Sequence, residues 1–362
     1  MFFVHCKNSI DKYSSNLFSL SICLDTIRSV KSPPGTPSPR PSPTMPHAPL
    51  SFSLPSGPPR CVWDAGALLG EGALWSPRLQ ALWWVDILGR RLHRLRPSDG
   101  ERRSWTFDEE ISAVAEIAED AAISDSADIT ATPGLLLITL RRGFATFDPA
   151  TGEVHYRHRP DEPAGNRFND GRCDAHGRFW GGTMDFDCEA PTGALYRHDP
   201  DGTTTRHDAG FAVTNGPTWS ADGATMYFND TVRGTVLAYD VDAATGTLSN
   251  RRPWLRLARG DGSPDGMTTD AAGRVWIAHW GAGCVSCHDP ATAAEIGRIA
   301  LPARQITSCA FGGPDLRTLY VTSAATGLDD TQRAAQPLAG ALFAVELDGP
   351  GLPAHRFGRG AR

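Results

Sequence analysis

No run of about 18 consecutive apolar residues occurs in the 362-residue chain, so no segment reads as a membrane-spanning helix. Positive charge is not in excess either: 35 Lys and Arg stand against 41 Asp and Glu, a net charge of −6. That balance argues against a nucleic-acid partner, because phosphate binding needs a concentrated basic patch. Cysteine is sparse, with eight residues in a chain of this length. They do not make a disulfide framework and are expected to be free thiols in a reducing cytoplasm. Neither a Gly-x-Ser-x-Gly elbow nor a His-Glu-x-x-His helix is present, which weakens serine-hydrolase and zincin readings. What the chain has instead is glycine, 37 residues, and tryptophan, 10 residues, with few long apolar runs of helical period. That composition points to an all-β protein rich in turns.

The first 59 residues differ in kind. Residues 1–30 open on an apolar trio, but Lys7, Asp11 and Lys12 interrupt any signal-peptide core. Residues 31–60 hold 11 of the 28 prolines and are expected to be a disordered, partly polyproline-like extension, with Met45 inside it as a candidate translation start. The folded domain is therefore expected over 60–362.

From residue 60 one pattern recurs. A turn followed by an apolar-aromatic strand appears as SPRLQALWWVD (76–86), DAHGRFWGGTMD (174–185), SADGATMYFND (220–230), DAAGRVWIAHW (270–280) and GGPDLRTLYVTS (312–323). A strand running into an Asp-Gly or Asp-Pro-x-x-Gly turn follows each, as in GFATFDPATG (143–152) and GALYRHDPDG (193–202). The strand centres Leu82, Phe179, Met226, Val275 and Leu319 are separated by 97, 47, 49 and 44 residues. The double-length first gap holds a sixth unit, GLLLITLRRGFATFDP (134–149), preceded by an acidic insertion at 119–133. Six units of about four strands at this period predict a six-bladed β-propeller. The strand RCVWDAG (60–66), left over before the first unit, is expected to complete the last blade against 340–358 and so protect the open edges.

Two motifs could mislead. CVSCHDP (284–290) has the spacing of a haem attachment site. It falls where LYRHDP and ATFDP stand in other units, so it is expected to be a strand entering a turn, with no haem and no zinc site. Asn229-Asp230-Thr231 matches a glycosylation pattern but falls at a predicted strand end.

Aligning the units on Ser76, Asp174, Ser220 and Asp270 puts Glu71, Asn169, Asn215 and Asp265 at one equivalent position, just before the strand that lines a propeller's channel. Equivalent positions of a closed ring converge on its axis. Two carboxylates and amide oxygens in one small volume repel unless a cation sits between them, and oxygen donors favour a hard divalent ion such as calcium, magnesium or manganese.

These residues carry a resemblance. LLGEGALW, NRFNDGRCDAHGRFWGGTMD, TNGPTWSADGATMYFNDT, PDGMTTDAAGRVW and CAFGGPDLRTLYVTSA resemble, in order, the signatures of the regucalcin/gluconolactonase (senescence-marker-protein) family, closest to its bacterial sugar-lactonase branch, over roughly residues 61–358. The resemblance implies one divalent metal ion at the channel mouth (calcium, manganese, zinc, magnesium or iron) and hydrolysis of a small-molecule sugar lactone such as glucono-, xylono- or arabinonolactone. It implies Glu71, Asn215 and Asp265 as metal ligands, with Asp265 also the catalytic acid/base. Arg167 and Asn169 would contact substrate hydroxyls, and Glu189 is the best-placed match for a further substrate contact. Two other readings stay open at this point: a non-catalytic calcium-binding propeller, and a propeller hydrolase of other esters or organophosphates.

Overall fold

A computed structural model describes residues 55–119 and 134–358. The expected Pro-rich extension lies outside the described residues up to residue 54, and the 119–133 insertion lies outside them from residue 120. The described residues form six four-stranded antiparallel sheets. The inner strands are Gly70–Ser76, Ile111–Glu116, Asn166–Cys173, Thr214–Trp219, Ser263–Thr269 and Ile306–Gly312, in blades 1 to 6. Each neighbours the next, and blade 6 returns to blade 1, so the ring is a closed six-bladed propeller. Closure is made as expected: Arg60–Trp63 pairs with Leu342–Glu346 as the outermost strand of blade 6. Pro55 and Ser56 extend that contact to Leu347 and Glu346.

The alternation of the sequence is weakest where burial is greatest, for a simple reason. Blades stack face to face, so both sides of their inner and second strands are covered, and the core is divided among the interfaces between blades. Trp83 and Val85 of blade 1 pack with Ile111 and Ile138 of blade 2, and Trp180 of blade 3 packs with Phe228 of blade 4. Outermost strands face water on one side and stay polar, as Glu101–Thr106 (ERRSWT) does.

Two of the turns expected from the repeat are held by the same buried device. Asp174 accepts from the N–H groups of His176 and Arg178 with one oxygen, and from Arg178 Nε (2.6 Å) and Trp180 Nε1 (2.9 Å) with the other. Asp270 repeats this with Ala272, Arg274 Nε (2.6 Å) and Trp276 Nε1 (2.7 Å). Removing one member of a buried ion pair leaves the other's desolvation uncompensated. Asp270→Ala is therefore expected to destabilise the protein by about 3–5 kcal/mol, measured by denaturant unfolding.

CVSCH is the third strand of blade 5, Cys284–His288, as the repeat register predicts. Ser286 Oγ lies 2.6 Å from His279 Nε2 and 2.8 Å from His288 Nε2, while Cys287 faces the apolar core, where burial pushes its thiol up. The six described cysteines are free.

The C-terminal segment crosses the propeller at the end away from Glu71. The Leu352 N–H donates to Thr269 O of blade 5, and the Phe357 N–H donates to Glu116 O of blade 2. Phe357 is buried between blades 2 and 3, and Gly351 lies so close to Phe311 that a Cβ there would meet its ring at 2.0 Å. Blades 2 and 5 are opposite each other in the ring, so this strap spans the channel.

Candidate active site

Every inner strand breaks register near its upper end. The breaks fall between Glu71 and Leu74, Ile111 and Ala113, Phe168 and Gly171, Asn215 and Thr218, Pro264 and Met267, and Ile306 and Cys309. A bulge leaves residues out of the ladder and re-aims their side chains. Here six bulges sit at one level of the channel, and the four expected positions are on them or at their edge. Glu71, Asn169, Asn215 and Asp265 are all buried, none more than 4% exposed. The sequence reading did not assign the other two blades. Their bulges carry Ser112, bonded to Thr139 (2.9 Å), and Thr307, whose hydroxyl donates to Gly70 O.

Glu71 and Asp265 come close enough for each carboxyl to act on the other's ionisation. Burial, then the charge of Asp170, pushes the Glu71 carboxyl up to about 8. Asp265 is pushed well above the usual carboxylate range by burial first, then by the charge of Glu71. Among the described residues Asp265 Oδ1 is buried with no hydrogen-bond partner, as are Asn229 Oδ1 and Ser308 Oγ. Gly266 lets this strand approach blade 6: a Cβ there would meet Ser308 Oγ at 2.5 Å.

The amides continue the cluster. Asn169 Nδ2 donates to Asn215 Oδ1 at 2.9 Å and to Thr214 O at 2.7 Å. Asn169 Oδ1 accepts from Arg167 Nη1 at 2.6 Å. Arg167 is itself buried, packs against Phe186, and lines a cleft with Arg141, Glu162, Asn166 and Thr183. Of the six expected site residues, five are buried at this level of the channel, as the Glu71–Asp265 pair and the Arg167–Asn169–Asn215 chain. Glu189 stands apart, exposed in the loop after the second strand of blade 3, where its backbone N–H donates to Asp185 Oδ2.

One carboxylate was missed. Asp170 follows Asn169, at the position where blades 1, 4 and 5 have Gly72, Gly216 and Gly266. It accepts from the N–H groups of Gly171 (2.8 Å) and Gly216 (2.9 Å). Burial raises its carboxyl, against the lowering effect of Arg172 and of these two N–H groups. A carboxylate standing where the repeat otherwise has glycine was the signal that could have found it.

The donor set fits a divalent cation. Two buried carboxyl groups facing each other need a proton or a cation between them, and the orphaned Asp265 Oδ1 is where one would bind. Among the described residues no three His, Cys, Asp or Glu side chains form a metal-holding group. The third expected ligand, Asn215, would offer an amide oxygen, a donor that suits a hard ion.

The SMP-30/Gluconolactonase/LRE-like region matches residues 69–325. The chain belongs to that family. The match begins two residues before Glu71 and takes in all six expected site residues. Among SMP-30/gluconolactonase relatives, the chain is 36% identical to the pentonolactonase of Haloferax volcanii, covering 82% of this chain and 96% of that protein. It is 34% identical to the L-arabinolactonase of Azospirillum brasilense, covering 84% and 96%. Its fold superposes on a calcium-binding protein, regucalcin, from Agrobacterium tumefaciens with a TM-score of 0.74 at 32% identity, covering 82% and 97%.

Proposed function

We propose that the protein is a metal-dependent lactonase that opens the ester ring of an aldonolactone by attack of water. The observation that carries this reading is the buried Glu71–Asp265 pair with its partnerless Asp265 Oδ1, beside the Arg167–Asn169 pair. The names of the relatives, a pentonolactonase and an L-arabinolactonase, support five-carbon sugar lactones as substrates. Glu71, Asn215 and Asp265 are the residues that would hold the cation, which when bound polarises the lactone carbonyl as a Lewis acid. The Asp265 carboxylate oxygen that the cation leaves free takes a proton from the attacking water as the water's oxygen bonds to the carbonyl carbon. The bond from that carbon to the ring oxygen then breaks, and Asp265 returns its proton to the ring oxygen, which leaves as a hydroxyl. Arg167 and Asn169 hold the sugar hydroxyls, and Glu189 is the further substrate contact in this reading. The free cysteines support a cytoplasmic setting.

A non-catalytic calcium site would not require a buried guanidinium beside the acidic pair. A panel of glucono-, xylono- and arabinonolactone, aryl esters and organophosphates, each with calcium, manganese, magnesium or zinc, tests the reading. Metal-stimulated turnover confined to aldonolactones is expected. Cation binding with no turnover of any ester would leave a binding protein, and preference for aryl esters would change the substrate class.

A further inference from the structure

The Asn229-Asp230-Thr231 triplet is buried, with Asn229 at 0% and Thr231 at 7% exposure, so neither its asparagine nor its threonine is a surface feature. Both side chains reach across to blade 5. Asn229 Nδ2 donates to Asp265 O, and Thr231 Oγ1 donates to Pro264 O at 2.8 Å. Pro264 and Asp265 lie where the inner strand of blade 5 breaks register, so blade 4 supplies donors to two consecutive carbonyls there.

Thr231 does more than that. Asn215 Nδ2 donates to Thr231 Oγ1 at 2.9 Å. The resulting chain runs from Arg167 through Asn169, Asn215 and Thr231 to Pro264 O. Its direction is fixed at both ends: a guanidinium can only donate, and a carbonyl oxygen can only accept. The single hydroxyl proton of Thr231 is committed to Pro264 O, so its oxygen must accept, and Asn215 must turn its nitrogen toward it. Reversing the Asn215 amide would set its oxygen against an accepting hydroxyl and its NH2 against the NH2 of Asn169. Turning Asn169 as well would set that NH2 against Arg167 and leave Thr214 O without its donor.

We infer that Thr231 is a positioning residue for the metal centre: it fixes the amide of Asn215 so that the oxygen, the only amide atom able to bind a cation, is the one turned away from Thr231. This rests on the assignment of Asn215 as a ligand in the proposed function. Thr231→Val keeps the side chain's shape and removes both of its hydrogen-bonding roles, whereas Thr231→Ser keeps the hydroxyl.

The experiment is calorimetric titration of calcium, and separately manganese, into the metal-free wild type and these variants. Loss of a residue that orients a ligand typically weakens metal affinity by about 10–100-fold, and that loss is expected for Thr231→Val, with Thr231→Ser close to wild type. The same substitution is also made in an Asn215→Asp background. A carboxylate has an oxygen on either side, so Thr231→Val is expected to change affinity there by less than about threefold, a coupling that a merely structural role would not produce. Thr231→Ala adds no bulk and repeats the measurement should the valine variant fail to fold. Wild-type affinity in Thr231→Val, or an equal loss in both backgrounds, overturns the inference alone. A wild type that binds neither ion overturns the metal reading and this inference with it.

Discussion

Replacing Asp265 by asparagine is expected to lower kcat on an aldonolactone by roughly a thousandfold or more, the scale of a lost general base, while the ring stays folded. The two effects separate because the residue's difficulty in the metal-free fold is its charge. Its carboxyl is buried among Glu71 and Asp170, and each of these disfavours ionisation. An amide of nearly the same shape removes that conflict. The metal-free variant is therefore expected to unfold at a higher temperature than metal-free wild type, even as it loses turnover. Steady-state rates by pH-stat and thermal unfolding by circular dichroism measure the two effects. A near wild-type kcat would remove Asp265 from the mechanism.

Stripping the cation with a chelator is expected to abolish turnover reversibly and to make stability depend on pH. A carboxyl whose value is raised by folding binds its proton more tightly in the folded state than in the unfolded one. Its stabilisation is then complete below the unfolded value and is lost as pH climbs toward the folded value. For Glu71 that window runs from the ordinary 4.5 to about 8. The metal-free protein should thus lose melting temperature from pH 5 to 8. An added cation replaces the proton between the carboxylates, so its stabilising effect should grow over the same range. At a hundredfold excess over Kd that effect is about 2.7 kcal/mol. Melting curves with and without calcium or manganese at several pH values provide the check. Stability of the chelated protein that is flat or rising over this range would contradict the placement of the pair.

The blades were legible because their turns are local. Asp-Pro-x-x-Gly and Asp-Gly dictate backbone angles whatever surrounds them, and counting between them gave both the period and the strand identity of CVSCH. The level ring of Glu71, Asn169, Asn215 and Asp265 was legible for the same reason, since a closed circle converts equal register into spatial convergence. Ser112 stayed hidden because the sequence of that unit carries the 119–133 insertion where the others carry the turn motif. Thr231 stayed hidden because its partners, Asn215 and Pro264, lie on two blades, and no sequence spacing encodes a hydrogen bond between them. Glu189 could be named but not placed, since DFDCEAPTG has neither a strand period nor a turn that fixes its side chain. The segment GLPAHRF, which becomes the strap, has no repeat of its own.

That strap gives the circle a second lock. The pairing of Arg60–Trp63 with Leu342–Glu346 clasps blade 6 at its rim, whereas Leu352 to Phe357 lashes two facing blades together beneath the hole. Releasing the clasp leaves the lashing in place, and cutting the lashing leaves the clasp. Unrolling needs both to be open at once, so removal of either one should speed unfolding more than it slows folding.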